Sequence, residues 1–312
     1  MDKARLKVIS VNISEEKGTV KSPVDIIEVD KSGIRGDAHA GNWHRQVSLL
    51  GEESVIRFSG KAGRKINYGE FAENITTLGL ELFDTSPLDR LVSDDVELEI
   101  TQIGKKCHGS NCAIFTEVGN CVMPKEGIFA RVLKGGSLKS GDILEYRPRN
   151  FKFLVVTLSD RASRGDYEDK SGPAVANTLK EYFGPRKRNI LIDNIVIPDD
   201  EHQLKNILDK GINDKYDFII TTGGTGVGKR DLSPDVVKPL LEKEIPGIME
   251  MIRVKYGSDK PNALLSRGVA GLTGDSFVYT LPGSVRAVNE YMNEITKTME
   301  HLVYMLHGID SH

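Results

Sequence analysis

The segment Thr221-Thr222-Gly223-Gly224-Thr225-Gly226-Val227-Gly228 constrains this chain more than any other. It follows the apolar run of residues 217–220, which reads as a buried strand, and precedes Ser233-Pro234-Asp235, where a serine N-cap and a proline at the first helical position open a helix. Strand, glycine loop, helix is a phosphate-binding order. Glycines let backbone N–H groups approach an anion closely, and the positive end of the following helix faces the same side. The other reading of four glycines in eight residues is a tight turn without a ligand. Two familiar phosphate loops do not fit. Gly223 through Lys229 matches the start of a P-loop, but Arg230 stands where Ser or Thr would ligate Mg²⁺. Gly224-x-Gly226-x-Gly228 lacks the dinucleotide-fold spacing, and its strand is the third of its half rather than the first.

The strand pattern changes near residue 150. Before it, short β-rich runs (6–13, 24–29, 96–103 and 128–133) are separated by Gly/Asp/Ser turns, with little sustained helical periodicity, as in a β-barrel or sandwich. After it, strands at 153–158, 190–197 and 216–221 alternate with helices at 172–183 and 201–210, which calls for a mostly parallel sheet with helices on both faces, a three-layer α/β domain. Residues 146–150 read as a linker, giving one domain over 1–148 and a second over 151–312. A length of 312 residues with 39% hydrophobic content supports two cores.

A second strand-to-helix turn lies in the second half. Residues 276–281 form a strand, Pro282-Gly283 turns the chain, and Ser284 caps a helix through Leu306. Ligands of open α/β sheets sit beyond the carboxyl ends of the strands, so both loops are expected at one crevice. Ser159-Asp160-Arg161 and Pro198-Asp199-Asp200 end two further strands there. Carboxylates beside phosphate loops imply a divalent metal; alternatively, Asp199 or Asp200 caps the next helix and Asp160 closes a turn. Lys229 and Arg230 either add positive charge to the loop or are solvated surface cations, and Ser171 either binds or only caps a helix.

The residues just quoted, together with Leu158–Ser163, Asp169-Lys170-Ser171-Gly172-Pro173, Arg230-Asp231 and Leu281-Pro282-Gly283-Ser284, resemble the MogA/MoaB family over about residues 151 to 308. The resemblance implies a molybdopterin-binding domain, trimeric or built from trimers, that transfers AMP from ATP to molybdopterin. It implies Asp199 and Asp231 as the essential acidic positions, catalytic and holding Mg²⁺. Ser159 and Asp160 then border the nucleotide or pterin. Ser171, Gly172, Thr222, Gly223, Gly224, Thr225, Gly226, Arg230, Ser233, Pro282, Gly283 and Ser284 hold substrate phosphates.

In the first half, Gly33–Gly41 with Asp37 and His39, Arg45–Leu50 (a half-buried strand by its pattern), Phe71–Thr77, Gly104–His108, Gly127–Val132 and Gly135 through Asp142 resemble a MOSC domain over about residues 5 to 146. That family implies a mainly β barrel associated with sulfuration of the molybdenum cofactor, with Cys107, His39 and Arg45 as candidate site residues. Lys105, Lys106 and His108 would favour a Cys107 thiolate. Cys112 and Cys121 read as small buried apolar residues or, with Cys107, as soft metal ligands, although paired C-x-x-C knuckles are absent. His39 is either a hydrogen-bonded turn residue or a ligand contact.

Forty-two basic and 45 acidic side chains nearly cancel, and aromatic content is 6%, which disfavours a nucleic-acid binder. No run of ~20 apolar residues spans a bilayer and no leader pattern opens the chain, so a cytoplasmic protein without a membrane partner is expected. Two readings follow. In the first the chain is a nucleotidyltransferase acting on molybdopterin with Mg·ATP, with a molybdenum insertase as a further partner and either molybdenum or tungsten as the final metal. In the second it is a carrier that binds molybdenum cofactor intermediates without turnover.

Overall fold

The computed structural model describes residues 4–105 and 121–309. Two compact units emerge, one running to Arg149 and taking in Gly308 and Ile309, the other covering Asn150–His307.

The first unit is a closed barrel. Strands β1 (Arg5–Ile13), β5 (Val47–Gly51), β6 (Ile75–Leu78), β7 (Arg90–Val92), β8 (Glu97–Ile103), β9 (Ile128–Lys134) and β11 (Ile143–Arg147) pair in the order β11-β7-β8-β9-β5-β6-β1, and β1 pairs back to β11. Closure removes the sheet edges. Short β2 (Ser22–Val24) adds to β1, while β3 (Ile26–Asp30) joins β4 (Gly33–Ile34) and β10 (Gly136–Lys139) in a separate sheet. The single strand expected over 24–29 is therefore two, broken at Asp25, because its ends pair into different sheets. Inward-facing Leu6, Val8, Val47, Leu49, Ile75, Leu91, Leu98, Ile100 and Leu144 fill the barrel at 0% exposure.

Helix α1 (Glu52–Ala62) was not legible as a helix, since it buries only Ser54, Val55 and Phe58. Its Val55 and Phe58 pack with Leu50, Phe71 and Phe129 on the outside of the barrel. That is why β5 is buried on both faces rather than half-buried as its pattern suggested. A short helix α2 (Met123–Glu126) adds Met123 to the same cluster. The segment 146–150 is no loose linker: Tyr146 and Arg147 end β11, and the Tyr146 hydroxyl and the Arg149 amide both donate to Asp89, at 2.6 and 2.8 Å.

In the second unit, β12 (Asn150–Leu158), β13 (Asn189–Ile197), β14 (Phe218–Thr222), β15 (Lys243–Glu244), β16 (Ala270–Thr273) and β17 (Ser276–Leu281) form one sheet in the order β13-β12-β14-β17-β16-β15. The four strands β13, β12, β14 and β17 are parallel; β16 pairs antiparallel with β17, and β15 antiparallel with β16. The helices are α3 (Asp160–Ser163), α4 (Ser171–Phe183), α5 (Glu201–Asn213), α6 (Ser233–Val237), α7 (Pro246–Gly257) and α8 (Val285–Leu306). Alternation along β12 sorts the layers. Leu154, Val156 and Leu158 pack with Leu204, Leu208, Val236 and Val237 of α5 and α6. On the opposite face Phe151 and Phe153 meet Phe183 of α4 at ring-centroid distances of 5.9 and 5.7 Å, and Phe153 stacks on Phe218 at 4.9 Å. Each fully buried Phe contributes about 1.5–3 kcal/mol by burial. Connections leave β12 toward β13 on one side, then return to β14 on the other, so strand order reverses between β12 and β14. The carboxyl ends of these two strands form the crevice where such sheets take ligands. Among the described residues, no helix is long and apolar enough to cross a membrane.

Candidate functional site at the glycine loop

The loop after β14 begins with Gly223 and Gly224 at φ of +97° and +63°. A side chain there costs about 1–2 kcal/mol in backbone strain, and a Cβ on Gly224 would also lie 2.9 Å from Ser233 Oγ. The carbonyls of the loop are then tied back into the protein one after another. Gly223 O accepts from Ser233 Oγ at 2.7 Å, and Gly224 O from the Ser233 amide at 3.1 Å. Thr225 O accepts from the Arg267 amide at 2.8 Å, Gly226 O from Arg267 Nε at 2.6 Å, and Gly228 O from the Asp231 amide at 3.0 Å. Among the described residues, no acceptor pairs the amides of Gly224, Thr225 or Gly226. All three residues line a cavity of about 470 Å³. Carbonyls held behind and amides left in front make a concave donor surface, an arrangement with the chemistry to receive an anion.

The second loop borders the same cavity, as the strand ends predicted. Pro282, Gly283 and Ser284 line it; the Gly223 amide donates to Leu281 O at 2.9 Å, and a Cβ on Gly283 would lie 3.2 Å from Gly223 Cα. Ser284 caps α8, accepting from the Ala287 amide at 3.3 Å, so the positive end of a 22-residue helix meets the cavity. Lys260 and Arg286 also line it, each paired with Glu290.

Helix α6 departs from the expectation. It has five residues and starts at Ser233, whose hydroxyl is spent on Gly223 O rather than on a cap. A helix this short has little macrodipole, so the free amides of the loop supply its positive potential. Three other expected phosphate contacts also serve the loop's base. Ser171 shares a hydrogen bond of 2.9 Å with Thr222 and donates to Asp169 at 2.8 Å. A Cβ on Gly172 would lie 2.6 Å from the Asp169 carboxylate. Ser171, Gly172 and Thr222 are buried, and Asp169, not Ser171, caps α4 by accepting from the amides of residues 171 and 172.

Carboxylates flank the loop. The Asp160 carboxylate accepts from the Asp199 amide at 3.0 Å, and Asp199 accepts from the Asp160 amide at 3.3 Å, a reciprocal pair that pins the ends of β12 and β13. Asp200 is the cap of α5, accepting from Gln203 at 2.8 Å, which leaves Asp199 facing the site. Ser159 caps α3 through the Ala162 amide at 3.2 Å. Asp231 sits inside the loop: its Oδ2 accepts from the Gly228 amide at 2.8 Å, and Cβ atoms on Gly226 or Gly228 would approach that oxygen to 2.7 and 2.9 Å. Glycine is required there by close approach. Burial and the neighbouring Asp231 charge push the Asp199 carboxyl above its ordinary value. Arg230 pairs with Asp160 and stands 3.8 Å from Asp199, but at 66% exposure its charge is screened and does not prevail.

Sequence reasoning missed Arg267. Besides its two loop carbonyls, its guanidinium donates to Asp231 O and, as a fork, to both oxygens of Asp235 at 2.7 and 2.9 Å. No local pattern marks it, because its partners lie 32 to 42 residues away.

In the first unit the structure gathers a second polar group. Lys21 and Asp37 form an ion pair with both side chains at 0% exposure. Asp37 also accepts from Asn74 Nδ2 and the His39 amide, each at 2.9 Å. Burial raises the Asp37 carboxyl, but hydrogen bonds from His39 and Lys21 outweigh it and hold it well below the carboxylate range. Burial drives the Lys21 amine down, only partly offset by Asp37. His39 Nδ1 lies 3.4 Å from Lys21 Nζ; its ring stacks toward Trp43, over which Arg45 sits at 4.9 Å. His39 and Arg45 are thus joined through Trp43. Cys107, Lys106, His108 and Cys112 lie outside the described residues. Cys121 is half-buried and packs beside the outer cluster of Leu50, Phe58 and Phe71.

Comparison with known proteins follows the same division. A family model described as the MOSC domain matches residues 36–145, and one described as a probable molybdopterin binding domain matches residues 154–301. Gephyrin from Dictyostelium discoideum is 35% identical over 160 residues, which cover 49% of this chain and 22% of gephyrin. The molybdopterin adenylyltransferase of Helicobacter pylori strain J99 is 34% identical over 156 residues, covering 49% of this chain and 86% of that enzyme. The crystal structure of a molybdopterin biosynthesis protein from Mycobacterium abscessus aligns over 50% of this chain and 96% of its own, at 33% identity and TM-score 0.46. The chain therefore belongs to the MogA/MoaB-like family of molybdenum cofactor biosynthesis proteins, its molybdopterin-binding-type domain joined here to a MOSC domain.

Proposed function

We propose that the second unit adenylylates molybdopterin. The carrying observation is the row of unpaired amides at Gly224, Thr225 and Gly226 facing a cavity that Asp231 also lines. An anion cradle beside carboxylates suits two polyanions that must be brought together. The terminal phosphate of molybdopterin rests on the cradle and the end of α8, and one of its oxygens attacks the α-phosphorus of ATP. A phosphorus–oxygen bond forms, the bond to the β-phosphate breaks, and pyrophosphate leaves with the electron pair. No covalent protein intermediate is needed, so the protein contributes alignment and charge placement.

The residues present fit a divalent metal. Asp199 and Asp231 are hard oxygen donors close enough for one charge to raise the other's protonation, and Mg²⁺ commonly takes one or two carboxylates with the remaining positions from phosphate and water. Bound there, it would neutralise phosphate charge. Asp160 and its reciprocal bonds hold Asp199 in place, and Gly226 and Gly228 make room for Asp231. The similarity to an enzyme named molybdopterin adenylyltransferase supports this reading.

The test is incubation of the purified chain with molybdopterin, ATP and Mg²⁺, following adenylyl-molybdopterin and pyrophosphate, with Asp231→Asn as control. Product from the wild type alone is expected. Tight molybdopterin binding without product would replace the enzyme with a carrier.

A further inference from the structure

We infer that Arg267 is the positioning residue that presents the anion cradle, a role that rests on the cradle reading above. A glycine-rich loop has no intrinsic reason to point its amides one way. Glycine loses more conformational freedom on ordering than any other residue, and a free loop would rotate its peptide units. Here three acceptors of one loop, the carbonyls of Thr225, Gly226 and Asp231, are held by one residue, the first through its backbone amide and the others through its Nε and one terminal nitrogen. A carbonyl turned away fixes the next N–H in the opposite direction, because the peptide unit is planar. Tying Thr225 O to the Arg267 amide thereby orients the Gly226 amide, tying Gly226 O to the guanidinium orients the neighbouring Val227 amide and closes the loop behind the cradle, and tying Asp231 O fixes the backbone that carries the Asp231 carboxylate.

The fork to Asp235 sets the plane of the guanidinium, at 2.7 and 2.9 Å. Lysine cannot reproduce this, since its ammonium is a point charge without the planar fork. Arg267 lines no part of the cavity and its side chain is 36% exposed, so it acts through the loop rather than on substrate. Ser233 performs the companion task for Gly223 and Gly224.

The experiment uses the full chain, with inorganic pyrophosphate as the probe, comparing wild type, Arg267→Lys, Arg267→Gln, Asp235→Asn and the Arg267→Gln/Asp235→Asn double variant. Affinity is read by calorimetry, the fold by circular dichroism, and steady-state AMP transfer beside them. The expected result is folded Arg267→Lys and Arg267→Gln proteins with pyrophosphate affinity lowered about tenfold or more and KM raised by a similar factor, with kcat falling as well because the backbone that carries Asp231 is released. Simple loss of folded protein would instead lower kcat and leave KM alone. Asp235→Asn should weaken binding less, and the double variant should be no worse than Arg267→Gln, since both act through one contact. Wild-type affinity in Arg267→Lys, or additive effects in the double variant, would overturn the positioning role while leaving the cradle standing. Failure of the wild type to bind pyrophosphate would overturn the cradle itself, and the inference with it.

Discussion

Gly226→Ala isolates the fit of Asp231 into the loop. Gly226 does not occupy the left-handed region, so alanine adopts its backbone without strain. The added Cβ, however, would stand 2.7 Å from Asp231 Oδ2 and 3.2 Å from its Cγ. The oxygen must therefore withdraw by roughly 0.7 Å to reach ordinary van der Waals contact at 3.4 Å. Its 2.8 Å hydrogen bond from the Gly228 amide would then stretch toward the limit of bonding. A hydrogen bond to a charged group contributes about 1.5–3 kcal/mol, and that sets the upper bound on lost stability. Catalysis is more sensitive, because misplacing a positioned group by about 1 Å costs on the order of a hundredfold.

The expectation is a ten- to hundredfold fall in AMP transfer, roughly, with stability lowered by less than about 3 kcal/mol. Initial rates of pyrophosphate release and urea unfolding read the two quantities. Gly247→Ala serves as the control, since a Cβ there meets nothing within 4 Å. Turnover of Gly226→Ala within about twofold of wild type, with the protein folded, would refute the assignment of Asp231 to the reacting site.

Three further expectations follow from the same geometry. In Asp231→Asn the Asp199 carboxyl should titrate at lower pH, because one of the two causes raising it is gone; a carboxyl raised by the fold is penalised increasingly as pH climbs from its unfolded value through its folded one, so this variant should gain relative stability on the alkaline side of that window. Carbon-detected NMR titration checks this, and an unmoved Asp199 resonance would contradict it. Ser233→Ala removes the donor to buried Gly223 O, which should cost about 1–3 kcal/mol in the urea transition of the second unit; an unchanged transition would mean that the loop is held otherwise. Lys21→Met strands the Asp37 carboxylate at 0% exposure and should cost about 3–5 kcal/mol in the first unit's transition, with Lys21→Met/Asp37→Asn recovering part of it; equal stability in both variants would show that the buried charge carries no penalty.

What was legible in the sequence was local. The glycine loop, the Pro282-Gly283-Ser284 turn and the strand–helix alternation are written in contiguous residues, and from them came the parallel sheet and the shared crevice. Helix α1 escaped because a stripe of three buried side chains gives no periodicity, and the half-buried reading of β5 failed for the same reason, since α1 covers it. The cap expected of Ser233 failed because its hydroxyl answers to Gly223, ten residues earlier and across a turn, rather than to its own helix.

Arg267 shows why a motif alone underdetermines the site. Thr221–Gly228 supplies amides, but the loop that carries them is tied down by Ser233 and by Arg267, which arrives from the segment before β16, after two helices and more than thirty residues. Substitutions there would leave every glycine in place and still change what the loop binds. A glycine loop without the fork between Arg267 and Asp235 is therefore expected to bind phosphate more weakly, and the pyrophosphate titration of the Arg267 and Asp235 variants measures by how much.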